Sequence, residues 1–427
     1  MTAISGRRNT RSWRNTKGSE KSSRGCGGGQ AVALIIFVLG LGTLLPWNFF
    51  ITASQYFNER LSQDITSNGT SGTSSKDYSY DSWMALLSQL PLLLFTLLNS
   101  FLYQCVRERV RVPFSLVGIF LLFSLTAALV KVPMEPGNFF AITMATIWFI
   151  NMCGAVLQGS LFGMVGLFPS RYSTLFMSGQ GLAGIFAALA MLFSTLGKPD
   201  QSSAALGYFI TPCVATLGTL VCYLLLPRFH LILLIFPFKE KNKKDLENQE
   251  RSSVLAVFKK IWLMALCVTC VFAVTLSVFP VITVRVKTVY VNNAEWDKVF
   301  TCVCCFIVFN VMDLAGRTTP YIVQWPSKAS HWFPAAVFSR LVFIPLLMLC
   351  NVQDSKLTAV FSHDCAFVVI MALFAFSNGY LASLCMAYAP QLVRCKDCET
   401  AGSLMTFFLV LGLAVGASFS FLLGKLV

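Results

Sequence analysis

The chain has 427 residues, 56% of them hydrophobic and 12% charged, with a formal net charge of +14 and a mean hydropathy of +0.67. Soluble domains carry about 25% charged residues, so this composition excludes an ordinary soluble enzyme or nucleic-acid binder and indicates a multi-pass membrane protein. The apolar runs are continuous rather than alternating, which excludes a β-barrel, and the basic residues gather in short loops and the N-terminal tail, where they set topology.

Residues 1–30 hold Arg7, Arg8, Arg11, Arg14, Lys17, Lys21 and Arg24 and read as a disordered cytoplasmic arm. The apolar run that follows is too long for a signal peptide and lacks a small-residue cleavage site. Eleven apolar stretches are expected, at 31–54, 83–104, 112–131, 138–166, 173–196, 204–226, 259–284, 298–325, 332–351, 361–389 and 400–424. An odd number puts the termini on opposite sides. The placement of Lys and Arg puts the N-terminus inside and the C-terminus outside. Residues 55–82 then form an outer loop whose Asn68-Gly69-Thr70 is the chain's only glycosylation sequon. Residues 227–258 form an inner linker between a six-helix bundle (31–226) and a five-helix bundle (259–427). That 6+5 division resembles the two-bundle plan of major-facilitator transporters, in which solute binds near the midplane between the halves.

Taken in order, the spans contain few polar features. The first carries "GLGTLLPWNFF", where Pro46 can kink the helix. Trp47 either lines a cavity or belongs to an interfacial belt, with Asn48 beside it and Ile51 one turn beyond. In the fourth, Asn151, Gly154 and Gln158 share one helical face, which suits either a cavity or interhelical hydrogen bonding. "GQGLAG" (179–184) has dinucleotide-fingerprint spacing, but it lies within a helix of small and apolar residues and reads as a close-packing face. Gly159/Gly163 and Gly412/Gly416 read the same way. Phe279-Pro280 is a second candidate kink, in the seventh span.

The eighth span breaks the pattern. Phe306, Asn310, Asp313 and Arg317 follow at intervals of four, three and four, on one face. A charge at bilayer depth costs about 3 kcal/mol or more, so an acid–base pair there belongs inside the bundle or against a water-filled path. Its plainest role is an i,i+4 salt bridge. Arg340, in the ninth span, is expected to meet a loop carboxylate or a helix end and to serve structure or gating. The 15 cysteines lie mostly within spans, and the chain has three histidines. Neither a metal nor another cofactor is expected.

The stretches "LGLGTLLPWNFFITASQYF", "LPLLLFTLLNSF", "GAVLQGSLFG", "MSGQGLAG", "FNVMDLAGR", "RLVFIPLLMLCN" and "FAFSNGYLASLCM" resemble, in this order, the equilibrative nucleoside transporter family, with plasma-membrane subtype 1 as the expected subtype. The resemblance runs from about residue 31 to the C-terminus. It implies an all-α, eleven-helix, major-facilitator-like fold and passive, sodium-independent, alternating-access movement of nucleosides such as adenosine and uridine across the plasma membrane, by a monomer without enzymatic activity. It further implies that Trp47 and Gln158 contact the nucleobase and that Asp313 and Arg317 hold the ribose hydroxyls. Asn48, Leu90, Phe306 and Asn310 would line the site. Ile51, Phe279 and Pro280 would form an outer gate, and Gly154 and Gly179 would serve helix packing and inhibitor handling. The alternative is a carrier of nucleobases, organic cations or another small polar solute, proton-coupled or not. The central carboxylate already has a cationic partner, which favours passive transport.

Overall fold

The computed structural model describes residues 10–53, 56–58, 60–61, 80–102, 106–197, 201–233, 252–290, 294–353 and 355–426. Its principal helices are α1 (Thr10–Thr52), α2 (Tyr80–Leu102), α3 (Glu108–Lys131), α4 (Pro136–Val165), α5 (Ser170–Gly197), α6 (Gln201–Leu233), α7 (Val254–Val278), α8 (Ala294–Thr318), α9 (Trp332–Met348), α10 (Asp364–Tyr388) and α11 (Cys398–Leu426). The bilayer core offers backbone groups no water, so each span must satisfy its own hydrogen bonds as helix. Among the described residues, β pairing is limited to the isolated bridges Val286–Val352 and Cys350–Phe361. Nine stretches among the described residues are long and apolar enough to cross a membrane, and the expected spans at 83–104 and 332–351 coincide with shorter apolar helices.

Several expected boundaries move. Helix α1 begins at Thr10, so part of the arm expected to be disordered is helical; extending an existing helix avoids the cost of nucleation. α6 runs on to Leu233 and α7 starts at Val254, both inside the expected linker. Asn68 and its sequon lie outside the described residues. Pro280 does not kink the seventh span but ends it: α7 stops at Val278, and Phe279 is extended, as the residue before a proline prefers. Pro46, by contrast, sits within an unbroken α1.

Two spans are irregular. α8 passes through a π-helical stretch, Thr301–Ile307, before the regular turn sequence Val308–Thr318. α9 is split into Trp332–Ser339 and Phe343–Met348 by a 3-10 turn at Arg340–Val342.

In the N-terminal half, α1 packs on α5 and α6, and α4 packs on α2 and α3. Phe50 gathers Phe57, Phe123 and Phe209 around it with ring centroids 5.3, 6.0 and 5.9 Å away. In the C-terminal half, α7 packs on α11 and α10, and α8 packs on α10. The halves meet where α5 lies against α8 and α10, and where α11 lies against α2 and α4.

Glycines permit the tightest crossings. A Cβ added at Gly179 would lie 2.0 Å from Phe37 O, and one at Gly40 would lie 2.1 Å from Phe176 O, so α1 and α5 touch main chain to main chain. Gly316 and Gly379 do the same for α8 and α10, with clashes of 2.2 Å to Phe376 O and 2.1 Å to Asp313 O. Gly412 and Gly416 seat α11 on Thr269 O and Ala273 O of α7.

Candidate functional site

Asp313 and Arg317 form a buried ion pair, Nε to Oδ2 at 2.6 Å, with side chains 6% and 9% exposed. The second carboxylate oxygen, Oδ1, accepts from Asn378 Nδ2 at 2.7 Å. Both acid oxygens are therefore engaged. Arg317 is not saturated: its Nη1 finds only Met177 Sδ, at 4.0 Å, and its Nη2 has no oxygen acceptor among the described residues. Guanidinium carries five donors and each carboxylate oxygen keeps a further lone pair, so the pair can offer both donors and acceptors to a solute.

Asn310 turns its amide back onto Phe306 O at 2.8 Å, and Phe306 meets Phe279 edge-on at 5.7 Å. Phe279 stacks on Phe309 at 4.0 Å. Because Phe306 lies in the π-helical stretch, the regular spacing that was expected to align all four residues holds only from Asn310 to Arg317.

The opposing half contributes α1, α2, α4 and α5. Trp47 is half-buried and stacks on Phe50, 5.8 Å away; Asn48 beside it is also half-buried. Gln158 is 7% exposed and makes no hydrogen bond among the described residues. Its amide atoms are not among the fully buried polar atoms that lack a partner, so the amide keeps access to solvent and can meet a solute. One turn earlier, a Cβ at Gly154 would meet nothing within 4 Å. Asn151 bonds its own helix, Nδ2 to Ile147 O at 2.9 Å. Asn151, Gly154 and Gln158 make no interhelical hydrogen bond among the described residues, and the space in front of Gly154 is open. Gly154 is therefore not a packing glycine, whereas Gly179 is.

Leu90 is 50% exposed and continues the exposed row Leu86, Leu94 and Leu98 along α2. The buried side of α2 carries Thr96 and Asn99, together with Gln89, whose buried Oε1 has no partner among the described residues. Sequence reasoning missed Gln89 as a site candidate; the signal was an amide in an apolar span. Ile51 and Pro280, the expected outer gate, are both exposed.

Helix α5 carries the contact between the halves next to the ion pair. A Cβ at Gly181 would lie 3.0 Å from Arg317 Cδ, and one at Gly184 would lie 2.0 Å from Asn310 Oδ1. Thr318 Oγ1 donates to Ser178 Oγ at 3.2 Å. The structure therefore brings Asn310, Asp313 and Arg317 against α5, while no hydrogen bond links them to Trp47 or Gln158 among the described residues. At one end of the bundle the halves are joined: Asn99 Nδ2 donates to Ser403 Oγ at 3.1 Å, and Ser100 Oγ lies 3.2 Å from the same hydroxyl. Arg340 is 1% exposed and, against expectation, reaches no carboxylate directly among the described residues; broken helix α9 and its neighbours surround it with carbonyls and hydroxyls instead. No group of three His, Cys, Asp or Glu side chains that could hold a metal occurs among the described residues.

The sequence family described as "Nucleoside transporter" matches residues 144–253 and 235–425. Equilibrative nucleoside transporter 2 of Mus musculus is 50% identical over 438 residues, covering 92% of this chain and 96% of that protein. Equilibrative nucleoside transporter 1 of Homo sapiens is 44% identical over 445 residues, covering 93% and 98%. Similarity to the subtype 2 relative exceeds that to the subtype 1 relative, which reverses the expected subtype. The solved structure of the E. coli fucose:proton symporter, a major facilitator superfamily transporter, superposes with a TM-score of 0.51 at 12% identity over 91% of this chain and 92% of that one. The shared property is the major-facilitator fold.

Proposed function

Since the chain belongs to the equilibrative nucleoside transporter family, we propose that it moves purine and pyrimidine nucleosides such as adenosine and uridine across the plasma membrane by facilitated diffusion. It is a transporter, not an enzyme. The observation that carries the solute assignment is the buried Asp313–Arg317 pair with the outer nitrogens of Arg317 unclaimed. A nucleoside is neutral, with a flat base and vicinal ribose hydroxyls. The Arg317 nitrogens donate to those hydroxyls, and charge-assisted bonds of this kind are roughly twice as strong as neutral ones. Gln158, which can donate and accept, reads the base edge, and Trp47 supplies an aromatic face. Asn48, Phe306 and Asn310 shape the remainder. An organic cation would be repelled by Arg317, which disfavours that solute class.

Alternating access follows from how the halves touch. The joined end is held by Asn99 and Ser100 on Ser403, by Thr318 on Ser178, and by Arg171, which donates to Tyr321 Oη at 2.8 Å and lies over its ring; these contacts must part for the solute to leave on that side. Ile51 and Pro280, with Phe279 behind, close over the solute at the other end. That open end is the extracellular one, the N-terminus lies in the cytoplasm, the C-terminus outside, and Asn68 carries glycan. One copy of the chain suffices.

Purified protein in proteoliposomes tests this reading through uptake of labelled uridine. Adenosine should compete and monoamines should not, and uptake should stop at equal concentrations on the two sides, with or without a pH gradient. Accumulation driven by an acid exterior would contradict passive transport. Stronger competition by monoamines or adenine than by adenosine would move the assignment to another solute class.

A further inference from the structure

Behind the ion pair lies a hydrogen-bonded chain that the solute-binding account does not use. Arg340 donates from Nε to Ser377 Oγ at 3.0 Å, from Nη1 to Val271 O at 2.6 Å, and from Nη2 to Thr275 Oγ1 at 2.9 Å and Phe374 O at 3.3 Å. Thr275 Oγ1 is 2.7 Å from Asn378 Oδ1, and Asn378 Nδ2 is 2.7 Å from Asp313 Oδ1. Thr275, Arg340, Asn378 and Asp313 come from α7, α9, α10 and α8 in turn, and each is at most 4% exposed.

The direction of every bond in this chain follows from the chemistry of its ends. Arginine only donates, and a carboxylate only accepts. Thr275 Oγ1 must therefore accept from Arg340, which leaves the hydroxyl proton to be given onward. Val271 O lies at 2.9 Å, but Asn378 must turn its NH2 to the Asp313 carboxylate, so its Oδ1 faces Thr275 Oγ1 at the shorter 2.7 Å and can only accept there. The proton accordingly goes to Asn378 Oδ1. The amide is held with its oxygen toward Thr275 and its NH2 toward Asp313; turned over, it would set two acceptors face to face. A side-chain amide is symmetric in shape, so only such partners can choose its orientation.

We propose that Asn378, oriented by Arg340 through Thr275, is a positioning residue that fixes the Asp313 carboxylate and so aims the outer nitrogens of Arg317 at the solute. The proposal rests on the nucleoside-binding reading of Arg317. Arg340 is then the remote source of the site's polarity, and neither Arg340 nor Thr275 touches the solute.

The test uses the full chain in proteoliposomes with labelled uridine. Thr275→Val removes the hydroxyl at nearly constant shape and should raise the uridine KM about five- to tenfold, the worth of one hydrogen bond, with kcat little changed. Thr275→Ser should restore the wild-type KM. Asn378→Asp sets a second carboxyl against Asp313; two acids this close favour sharing one proton. With the shared proton, the introduced group donates to Asp313 as the amide did. Without it, the two acids repel. Uptake by N378D, relative to wild type, should therefore rise as pH falls, a response that a merely structural asparagine would not give. An unchanged KM in Thr275→Val, or parallel pH profiles for N378D and wild type, would overturn the proposal while Arg317→Lys still lost uridine binding. Normal uridine binding by Arg317→Lys would overturn the site reading and this proposal together. If N378D does not fold, the Thr275→Val and Thr275→Ser pair still decides.

Discussion

Arg317→Ala is expected to lower nucleoside uptake by about a hundredfold or more, since it removes two charged donors to the solute, each worth about 1.5–3 kcal/mol. The loss should persist after normalising to protein at the surface. Asp313 would keep Asn378 as a donor, so the folded protein should survive in measurable amount. The converse change is harsher. Asp313→Ala leaves Arg317 without its counter-charge and removes the acceptor at the end of the chain that starts at Arg340. It should therefore lower the melting temperature more than Arg317→Ala does, although both abolish uptake. The double variant removes one charge of each sign and should melt above Asp313→Ala while remaining inactive. That ordering separates folding from solute handling. Normal uptake by Arg317→Ala at normal surface abundance would defeat the assignment.

Gly379→Val is expected to prevent assembly of a monodisperse protein. A Cβ at Gly379 would sit 2.1 Å from Asp313 O and 2.8 Å from Arg317 N. Both neighbours are main chain, so no rotamer change can make room. Overpacking a core costs about 1–3 kcal/mol even when side chains can shift, and here helices α8 and α10 themselves must separate. A Cβ at Gly316 would lie 2.2 Å from Phe376 O and 2.8 Å from Tyr380 N on the other side, which leaves no direction for the helices to slide. The milder Gly379→Ala should fold in part and raise the uridine KM, because parting α8 from α10 stretches the Asn378–Asp313 bond. Gly154→Ala is the matched control, with open space in front of its Cβ, and should melt like wild type. Size-exclusion profiles and melting curves of the three variants read the contrast directly. A wild-type profile for Gly379→Val would show that the crossing is looser than drawn.

The helical class was legible from the continuous apolar runs, and the buried pairing of Asp313 with Arg317 because a charge in an apolar run is too costly to face lipid. The packing role of "GQGLAG" was legible because small residues in a helix admit close neighbours. What could not be read is which neighbour each face meets. Gly179 and Gly154 look alike in sequence, yet one touches the backbone of α1 and the other faces a void. Which way Leu90 faces could not be read because an apolar residue of an apolar span carries no sign of facing lipid or cavity. Gln89, one position earlier, does carry such a sign. Asn378 and Thr275 were invisible because a single amide or hydroxyl in a span is common, and only the fold reveals that they stand in line with two arginines. The π-helical stretch of α8 shifts Phe306 out of the expected register, and no local residue pattern announces it.

The break in α9 bears on how the protein is made. α9 is short, is interrupted at Arg340, and brings into the bilayer a cation that costs about 3 kcal/mol on its own. The acceptors for that cation on α7, Val271 O and Thr275 Oγ1, are synthesised before it. Those on α10, Phe374 O and Ser377 Oγ, come after. Until α10 arrives, α9 holds its place in the membrane with an incomplete set of partners. Chains truncated between α9 and α10 should therefore retain α9 in the bilayer poorly, and a glycosylation reporter placed at the cut would register the slippage. The most deeply buried charge in the C-terminal half thus makes its insertion a joint act of three helices rather than a property of one.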